Sequence, residues 1–545
     1  MAAELPGEYG QRADGRGDGQ GVDGYGDGAR DAQGEPRRRA ALVATLFLAV
    51  FLAMLDLSVV NVALPAIGGE LGTGIAGLQW VIDSYTLAFA GLLLVGGLIG
   101  DRLGQRAAFL WSMTAFVVGA ALCTVAPSLP VLLAGRAVQG MAAAVLVPGS
   151  LSLIVHSFPD PVARAKVIGA WSGLNGVAVA AGPVLGGWLT SALGWPAVFA
   201  VNLPLGLLAL VLAARALPRP RPSLRGQPMD VSGPVLGLLW STALAFALIE
   251  GGSLGWASPA VAVAFGIAVA GFVAFLAVER RGEHRMLPVG LFRSSTFSGA
   301  IAVAFVVGFA LSSVFFFLSL YFQRVKGYSE AATGLAFVPA ALAMVIGSPL
   351  AGRAVGRAGP RPPMLAGLAL AAVGLGLLAT LETDTPYGMI WWILVLFGLG
   401  VSASIPATNS AALAQVAPER SGAGSATVES AQQFGLVFGI AVLGAVQASG
   451  AASELAAQAE ALPAPVRARA VEALAHQQIP EGTGAAVARL RDMSALAHSN
   501  GLSAAFAAAA CAALAGALVA FFAVRAGSRA GPRTGVGAGA GADGT

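Results

Sequence analysis

The chain has 545 residues, 56% of them hydrophobic and only 11% charged, with a mean hydropathy of +0.76 and a formal net charge of +4. A soluble domain carries roughly 25% charged residues, so a water-soluble fold could not cover its surface, and the small positive balance is no signature of nucleic-acid binding. The two cysteines, Cys123 and Cys511, each fall inside an apolar run, which implies neither a disulfide framework nor a Cys-rich metal site.

Residues 1–35 carry ten Gly and eight Asp/Glu and have no apolar stretch. The expectation for 1–38 is a disordered cytoplasmic tail and not a cleavable signal peptide. Fourteen apolar runs of span length follow, centred near Leu52, Leu92, Phe116, Ala142, Val177, Leu207, Leu239, Ala268, Val307, Ala343, Leu370, Leu399, Ile440 and Cys511. Each is long enough to cross the hydrocarbon core as a helix, the form that leaves no backbone group unsatisfied in lipid. The expected class is an all-α membrane protein embedded in a lipid bilayer, with fourteen spans. Residues 39–217 form a first six-helix bundle, 218–285 two extra helices with their linkers, and 286–525 a second six-helix bundle. The last includes an outer loop at 448–501 with an Ala-rich run that can form a short surface helix. A Gly-rich tail, 526–545, is expected to be disordered.

Arginine fixes the orientation. With the N-terminus inside, the inner loops hold Arg39, Arg102, Arg106, Arg164, Arg219, Arg280, Arg353, Arg361 and several more, whereas the short outer loops hold only Arg324 and Lys326. The positive-inside rule then places both termini in the cytoplasm.

The two blocks of six carry matching punctuation, the mark of an internal duplication. Gly97, Asp101, Arg102, Gly104 and Arg106 after the second run have a degraded counterpart in Gly347, Gly352, Arg353, Gly356, Arg357, Gly359 and Arg361, without the acid. Gly140 precedes Pro148, and Gly398 precedes Pro406, by the same interval.

Ionisable side chains deep in a span are costly and mark function by default. Four qualify: Asp56, Asp83, Arg136 and Glu429. Burial disfavours a charged carboxylate, so Asp56 and Asp83 are candidates for loading and releasing a proton. Asp56 lies mid-span, with Asn61 in the same segment. Asp83 shares a helix face with Gln79 and lies nearer the outer end, where interfacial solvation is the competing reading. Arg136 needs a carboxylate or carbonyl partner, which the sequence does not name; Gln139 sits one turn on. Glu429, with Gln432 and Gln433 a turn away, is either a cavity acid for a cationic substrate or proton, or a solvated helix start. The string Gly182-Pro183-Val184-Leu185-Gly186-Gly187-Trp188 combines close-packing glycines with a helix-bending proline. No phosphate-binding loop of the type G-x-x-x-x-G-K-[ST] is present, so ATP is not the expected energy source, and no metal cluster or nucleophile elbow is found.

Together these segments resemble the fourteen-span drug:proton antiporters of the major facilitator superfamily, in the branch typical of antibiotic-producing actinobacteria. The resemblance runs from about Arg39 to Arg525. It rests on Leu55, Asp56, Val60, Asn61, Ala63, Leu64 and Pro65 in the first span, and on Gly97, Asp101, Arg102, Gly104 and Arg106 in the loop. It also rests on Arg136, Gln139 and Gly140 in the fourth span, on Gly169, Gly182, Pro183, Gly186 and Gly187 in the fifth, and on FAVNLPLG, Phe199 to Gly206. It implies a major facilitator fold of two six-helix bundles plus two extra central helices, and export coupled to proton entry without a bound cofactor. Asp56, Arg136 and Asp83 would serve proton coupling, and Glu429, Gln433, Asn61 and Gln139 a substrate cavity. The loop residues would gate the cytoplasmic face, with Asp101 facing the start of the thirteenth span, and the Gly-Pro string would favour antiport. Three positions depart from the pattern: Ala178 for a usual Gly, Gln105 for a frequent basic residue, and Gly194-Trp195-Pro196 for a Trp-Arg-Trp turn. An uptake permease on the same fold and a transport-inactive membrane sensor are the alternatives.

Overall fold

The computed structural model describes residues 27–158, 160–217, 232–281, 289–416, 421–459 and 485–525. Every regular element among them is helical. In chain order they are α1 (Asp27–Leu71), α2 (Ile75–Leu103), α3 (Gln105–Thr124), α4 (Leu129–Ser157), α5 (Pro161–Leu193), the short α6 (Ala197–Ala200) and α7 (Asn202–Ala216). There follow α8 (Ser232–Leu254), α9 (Pro259–Arg281), α10 (Ser295–Ser312), α11 (Glu330–Ala336), α12 (Val338–Ala358), α13 (Arg361–Leu378), α14 (Tyr387–Leu413), α15 (Ser421–Ala459) and α16 (Ala485–Ala523). Thirteen helices among the described residues are long and apolar enough to cross a membrane; α2, 29 residues long and containing the second apolar run, brings the number to fourteen. Spans six and ten each join two helices, as Ala197–Ala216 and Glu330–Ala358. Span nine, Ser295–Val325, continues α10 through two π-helical turns, Ser313–Leu318 and Tyr321–Val325.

Local chemistry sets several of the ends. Asp160 caps α5 by accepting from the Ala163 backbone N–H at 2.8 Å, with Pro161 at the first helical position. Ser329 caps α11 in the same way, accepting from Ala332 N–H at 3.2 Å. The α2–α3 turn needs Gly104 at φ +87°, and the α12–α13 turn needs Gly359 at φ +79°, a region open to glycine without strain. α1 is already helical from Asp27, ahead of Arg39; residues 1–26 of the expected tail lie outside the described residues. Much of the expected outer loop is helix: α15 and α16 are each 39 residues long and overrun the apolar run into 448–459 and 485–501. The Ala-rich run proposed as a surface helix there lies mostly outside the described residues, as does the tail 526–545.

The duplication read from Gly–Pro spacing is real in three dimensions. A Cβ on Gly140 of α4 would overlap the Tyr85 carbonyl of α2, and one on Gly398 of α14 would press on the Ala340 carbonyl of α12. Arg106, at the start of α3, donates from Nη2 to Ala214 O at 2.6 Å, at the C-terminal end of α7. Arg361, at the start of α13, donates from Nη2 to Phe521 O at 2.6 Å, at the C-terminal end of α16. A guanidinium on a helix C-terminus satisfies an orphan carbonyl and the negative end of the dipole together. The same device therefore closes both bundles on the arginine-rich face.

The bundles meet along seams on the opposite side. Ser319 Oγ donates to Asn61 O at 2.9 Å and Gln323 Nε2 to Val62 O at 2.9 Å, tying the π-helical end of span nine to α1. Gly187 of α5 lies on the Glu330 carbonyl, and Gly334 of α11 on the Pro183 carbonyl. Gln79 of α2 donates to Ile440 O of α15 at 2.7 Å. Of the inserted pair, α8 packs against α2 and α15, with Leu87, Ala245, Ile249, Val437, Phe438 and Ala441 buried together, and α9 packs on α8.

Candidate coupling site in the first bundle

The helices bring Asp56, Arg136 and Gln139 into one buried cluster, all three at 0% exposure. Arg136 Nη1 pairs with Asp56 Oδ2. Asp56 Oδ1 accepts from Gln139 Nε2 at 3.0 Å and from Asn202 Nδ2 at 2.6 Å. Arg136 also donates from Nε to Val81 O at 3.2 Å and from Nη1 to Gln139 Oε1 at 3.1 Å. Its guanidinium carbon stands 4.4 Å from the Tyr85 ring centroid, and the Tyr85 hydroxyl in turn donates to Ala53 O at 2.9 Å. One guanidinium nitrogen, Nη2, has no hydrogen-bond partner. A buried ion pair needs its remaining polar atoms satisfied, and α1, α2, α4 and α7 between them satisfy all but that nitrogen. Asp56 and Arg136 thus touch four helices at once.

Asn202 is the participant that the sequence reading missed. It belongs to the FAVNLPLG string but is neither charged nor near the other polar residues in sequence. An amide opening an apolar span carries the same warning as a charge, since it too must find partners in lipid. Trp195, from the divergent Gly-Trp-Pro turn, donates to Glu70 Oε2 at 2.6 Å and sets its ring edge-on to Phe199 at 6.2 Å. The replacement turn is therefore anchored. Ala178 is fully buried, and its carbonyl lies 3.5 Å from the Ser58 hydroxyl, so the missing glycine is accommodated.

Asp83 does not join this cluster. It is fully buried, against the solvated alternative, and neither carboxyl oxygen has a hydrogen-bond partner. It shares a face of α2 with Trp80 and Leu87, which pack against α8 and α15. A charge at Asp83 has no counter-charge there, whereas a charge at Asp56 does. Glu429 and Gln433 pair one turn apart on α15, Gln433 Nε2 donating to Glu429 Oε1 at 2.8 Å. Glu429 is half-buried and Gln433 buried. Of the expected cavity residues, Gln139 belongs to the Asp56 cluster, and Asn61 turns its amide back to Ser58 O at 3.1 Å while its own carbonyl serves the seam. Neither offers its side chain to solvent in this conformation, because each finds better partners inside the bundle.

The fifth-span glycines divide by role. Gly182 and Gly186 lie against Ser58 and Val59 of α1, Gly187 meets the other bundle, and Gly169 faces open space. Pro183 sits inside α5 with its carbonyl under Gly334. In the loop, Gly104 makes the turn and Arg106 donates to Ala214 O of its own bundle. Gly97 is part of α2; the side chains of Asp101, Arg102 and Ser421 are outside what the structure describes, and with them the expected contact of Asp101 with the start of α15.

The Major Facilitator Superfamily profile matches residues 46–440. The chain belongs to this superfamily. It is a multi-pass membrane transporter of small molecules and not an enzyme. Among its relatives, the puromycin resistance protein pur8 of Streptomyces alboniger is 39% identical over 426 residues, 77% of this chain and 84% of that protein. The methylenomycin A resistance protein of Bacillus subtilis is 34% identical, covering 74% and 87%. The tetracenomycin C resistance and export protein of Streptomyces glaucescens is 34% identical, covering 73% and 74%. These names place the chain in the drug-efflux branch of the superfamily. Among solved structures, an inward-facing, occupied bacterial homolog of the human lysosomal transporter Spinster superposes with a TM-score of 0.62 at 18% identity, covering 90% of this chain and 97% of that one. The xylose transporter XylE from E. coli gives 0.54 at 13%, covering 88% and 96%. These two likenesses bear on the fold alone: two six-helix bundles with the α8–α9 pair inserted between them.

Proposed function

We propose that this superfamily member exports amphiphilic small molecules, antibiotics among them, across the cytoplasmic membrane in exchange for protons. Both termini lie in the cytoplasm, so the arginine-rich face is the inner one. The single observation carrying the reading is the Asp56–Arg136 pair, fully buried at mid-span and held by Gln139 and Asn202. A proton arriving at Asp56 neutralises the carboxylate and removes the counter-charge of Arg136. The guanidinium then relies on Val81 O, Gln139 and the Tyr85 ring, and α4 shifts relative to α1 and α7. That shift opens the seams of α1 with span nine and of α5 with α11, which is alternating access. Asp83, buried without a partner at the α2–α8–α15 junction, is a second protonation site, and Glu429 with Gln433 meets substrate on α15. The relatives named for resistance and export support the outward direction. The proton gradient supplies the energy, with no ATP and no bound cofactor.

The test uses proteoliposomes with an imposed proton gradient, puromycin and a cationic dye as substrates, and wild type beside Asp56→Asn. Gradient-driven antiport is expected in wild type. The variant should lose it while retaining substrate–substrate exchange. Substrate moving in the same direction as protons would make the protein an uptake symporter instead. Gradient-driven movement equal in both proteins would remove Asp56 from the mechanism.

A further inference from the structure

Asp83 is buried, and neither of its carboxyl oxygens has a hydrogen-bond partner. What covers it follows from helix geometry. Helical side chains lean toward the N-terminus of their own helix. α2 begins on the side away from the arginine-rich face, so the Asp83 carboxyl leans outward. Gln79 and Trp80, one turn earlier in α2, stand over it on that side. Each is held by a hydrogen bond to a different helix. Gln79 Nε2 donates to Ile440 O of α15 at 2.7 Å, in a seat that a glycine leaves open: a Cβ on Gly444 would overlap that same nitrogen. Trp80 Nε1 donates to Glu250 Oε1 of α8 at 3.1 Å, and its ring lies 6.3 Å from that of Phe246, one turn further in on α8. The exposed Ser253 donates to the other Glu250 oxygen at 2.7 Å. The charged residues of α8 and α15 are Glu250, Glu429 and Glu454, all of them acids, and Arg136 of α4 is committed to Asp56 of α1. Neither helix packed on this face of α2 therefore brings Asp83 a cation.

We infer that Gln79 and Trp80 form a lid over Asp83, with Gln79 latched to the second bundle and Trp80 to the inserted pair, and that outside protons reach Asp83 only when this lid lifts. An ionised carboxylate without a partner is expensive inside a bundle, so the closed lid encloses a neutral Asp83. Parting α2 from α15 on the outer side breaks the Gln79 latch and lets the carboxyl exchange its proton with outside water. Loading is thereby confined to the outward-open conformation, and the closed lid keeps the proton from returning the way it came. Glu250 and the outer end of α8 take a positioning role: they hold Trp80 in place by accepting its N–H and carry no proton themselves. What the lid does for coupling rests on the reading of Asp83 as a second protonation site; the lid itself does not.

Dicyclohexylcarbodiimide reads the lid directly, because it adds to a neutral carboxyl in an apolar setting and stays on it as an N-acylurea, with no leaving group. The readout is the rate of Asp83 labelling in proteoliposomes, mapped by peptide mass spectrometry and divided by that of the half-buried Glu429. Wild type should label slowly. Trp80→Phe keeps a ring and loses the N–H, and Gln79→Met keeps the length and loses the donor; each should raise the ratio about three- to tenfold, the equivalent of one hydrogen bond. Glu250→Ala should match Trp80→Phe, whereas Glu250→Gln, which still offers an oxygen to the indole, should stay at the wild-type ratio. Gly444→Ala displaces the Gln79 amide, so it should raise the ratio by itself and add nothing to Gln79→Met. Ratios unchanged in Trp80→Phe and Gln79→Met overturn the lid. So does Glu250→Gln labelling as fast as Glu250→Ala, or a Gly444→Ala effect that multiplies that of Gln79→Met. Should Gln79→Met fail to fold, Trp80→Phe with the two Glu250 variants carries the test. Labelling needs no turnover, so the two readings fail separately. Ratios that rise as expected, with gradient-driven antiport intact in Asp83→Asn, sink only the protonation of Asp83. Unchanged ratios with antiport lost in Asp83→Asn sink only the lid.

Discussion

Asp56→Asn is the sharpest perturbation available, because the structure fixes which atoms it leaves stranded. The asparagine can still accept from Gln139 and Asn202 through its oxygen, but it turns an N–H toward Arg136 where a carboxylate oxygen had been. Arg136 then keeps Val81 O, Gln139 Oε1 and the Tyr85 face, all neutral. Removing one partner of a buried pair costs about 3–5 kcal/mol, and those neutral contacts put this case near the lower figure. Arg136→Met strands a carboxylate in place of the guanidinium. Asp56 then retains two amide donors and can also take up a proton, an escape closed to arginine, so about 1–3 kcal/mol is expected. In Asp56→Asn with Arg136→Met neither charge remains, and the double variant should be more stable than the sum of singles predicts by at least about 1.5 kcal/mol. Reversible unfolding in mixed detergent micelles measures all three. Additivity within about 0.5 kcal/mol would mean that the pair does not interact energetically, and the coupling role assigned to it would fall.

The glycines of α5 allow a paired test of the bundle seam. Gly187→Ala places a methyl group against the Glu330 carbonyl and 3.2 Å from Ala331 Cα, whereas Gly169→Ala meets nothing within 4 Å. In a cysteine-free background carrying Thr333→Cys, which is buried at α11, a membrane-impermeant maleimide should label the Gly187→Ala protein about tenfold faster. Gly169→Ala should leave the rate unchanged; equal rates in both would separate Gly187 from closure. Arg106→Ala and Arg361→Ala each lose a bond to a helix-terminal carbonyl, worth about 1 kcal/mol. The second should cost about 0.5 kcal/mol more, because Arg361 also stands 4.7 Å from the Phe521 ring; unfolding in the same micelles checks both, and a null effect at Arg106 with a large one at Arg361 would break the proposed equivalence.

The span number, the family and the duplication were legible in the chain itself. Lipid admits only backbone-satisfied segments, so composition and run length suffice, and Gly–Pro spacing repeats wherever close helix crossings repeat. Asp56 and Arg136 were legible as costly residues, but not as partners. Their pairing depends on which faces of α1 and α4 turn inward, and every helix in an apolar bundle is apolar on several faces. The same limit explains Asn202, whose amide reaches Asp56 across 146 positions. It also explains Arg106, whose partner is a backbone carbonyl and carries no side-chain signature. Gln139 and Asn61 stand out in sequence as polar residues in apolar spans, but their pairing does not: Gln139 bonds Asp56, and the Asn61 amide folds back on Ser58 O of its own helix. The Trp80–Glu250 bond is hidden in the same way, since only the packing of α8 on α2 brings the two together. The sequence thus determined what kind of solvent this chain lives in and how many times it crosses it. Tertiary structure alone decided which buried charges meet, because that is settled by helix rotation and crossing, which hydrophobicity does not encode.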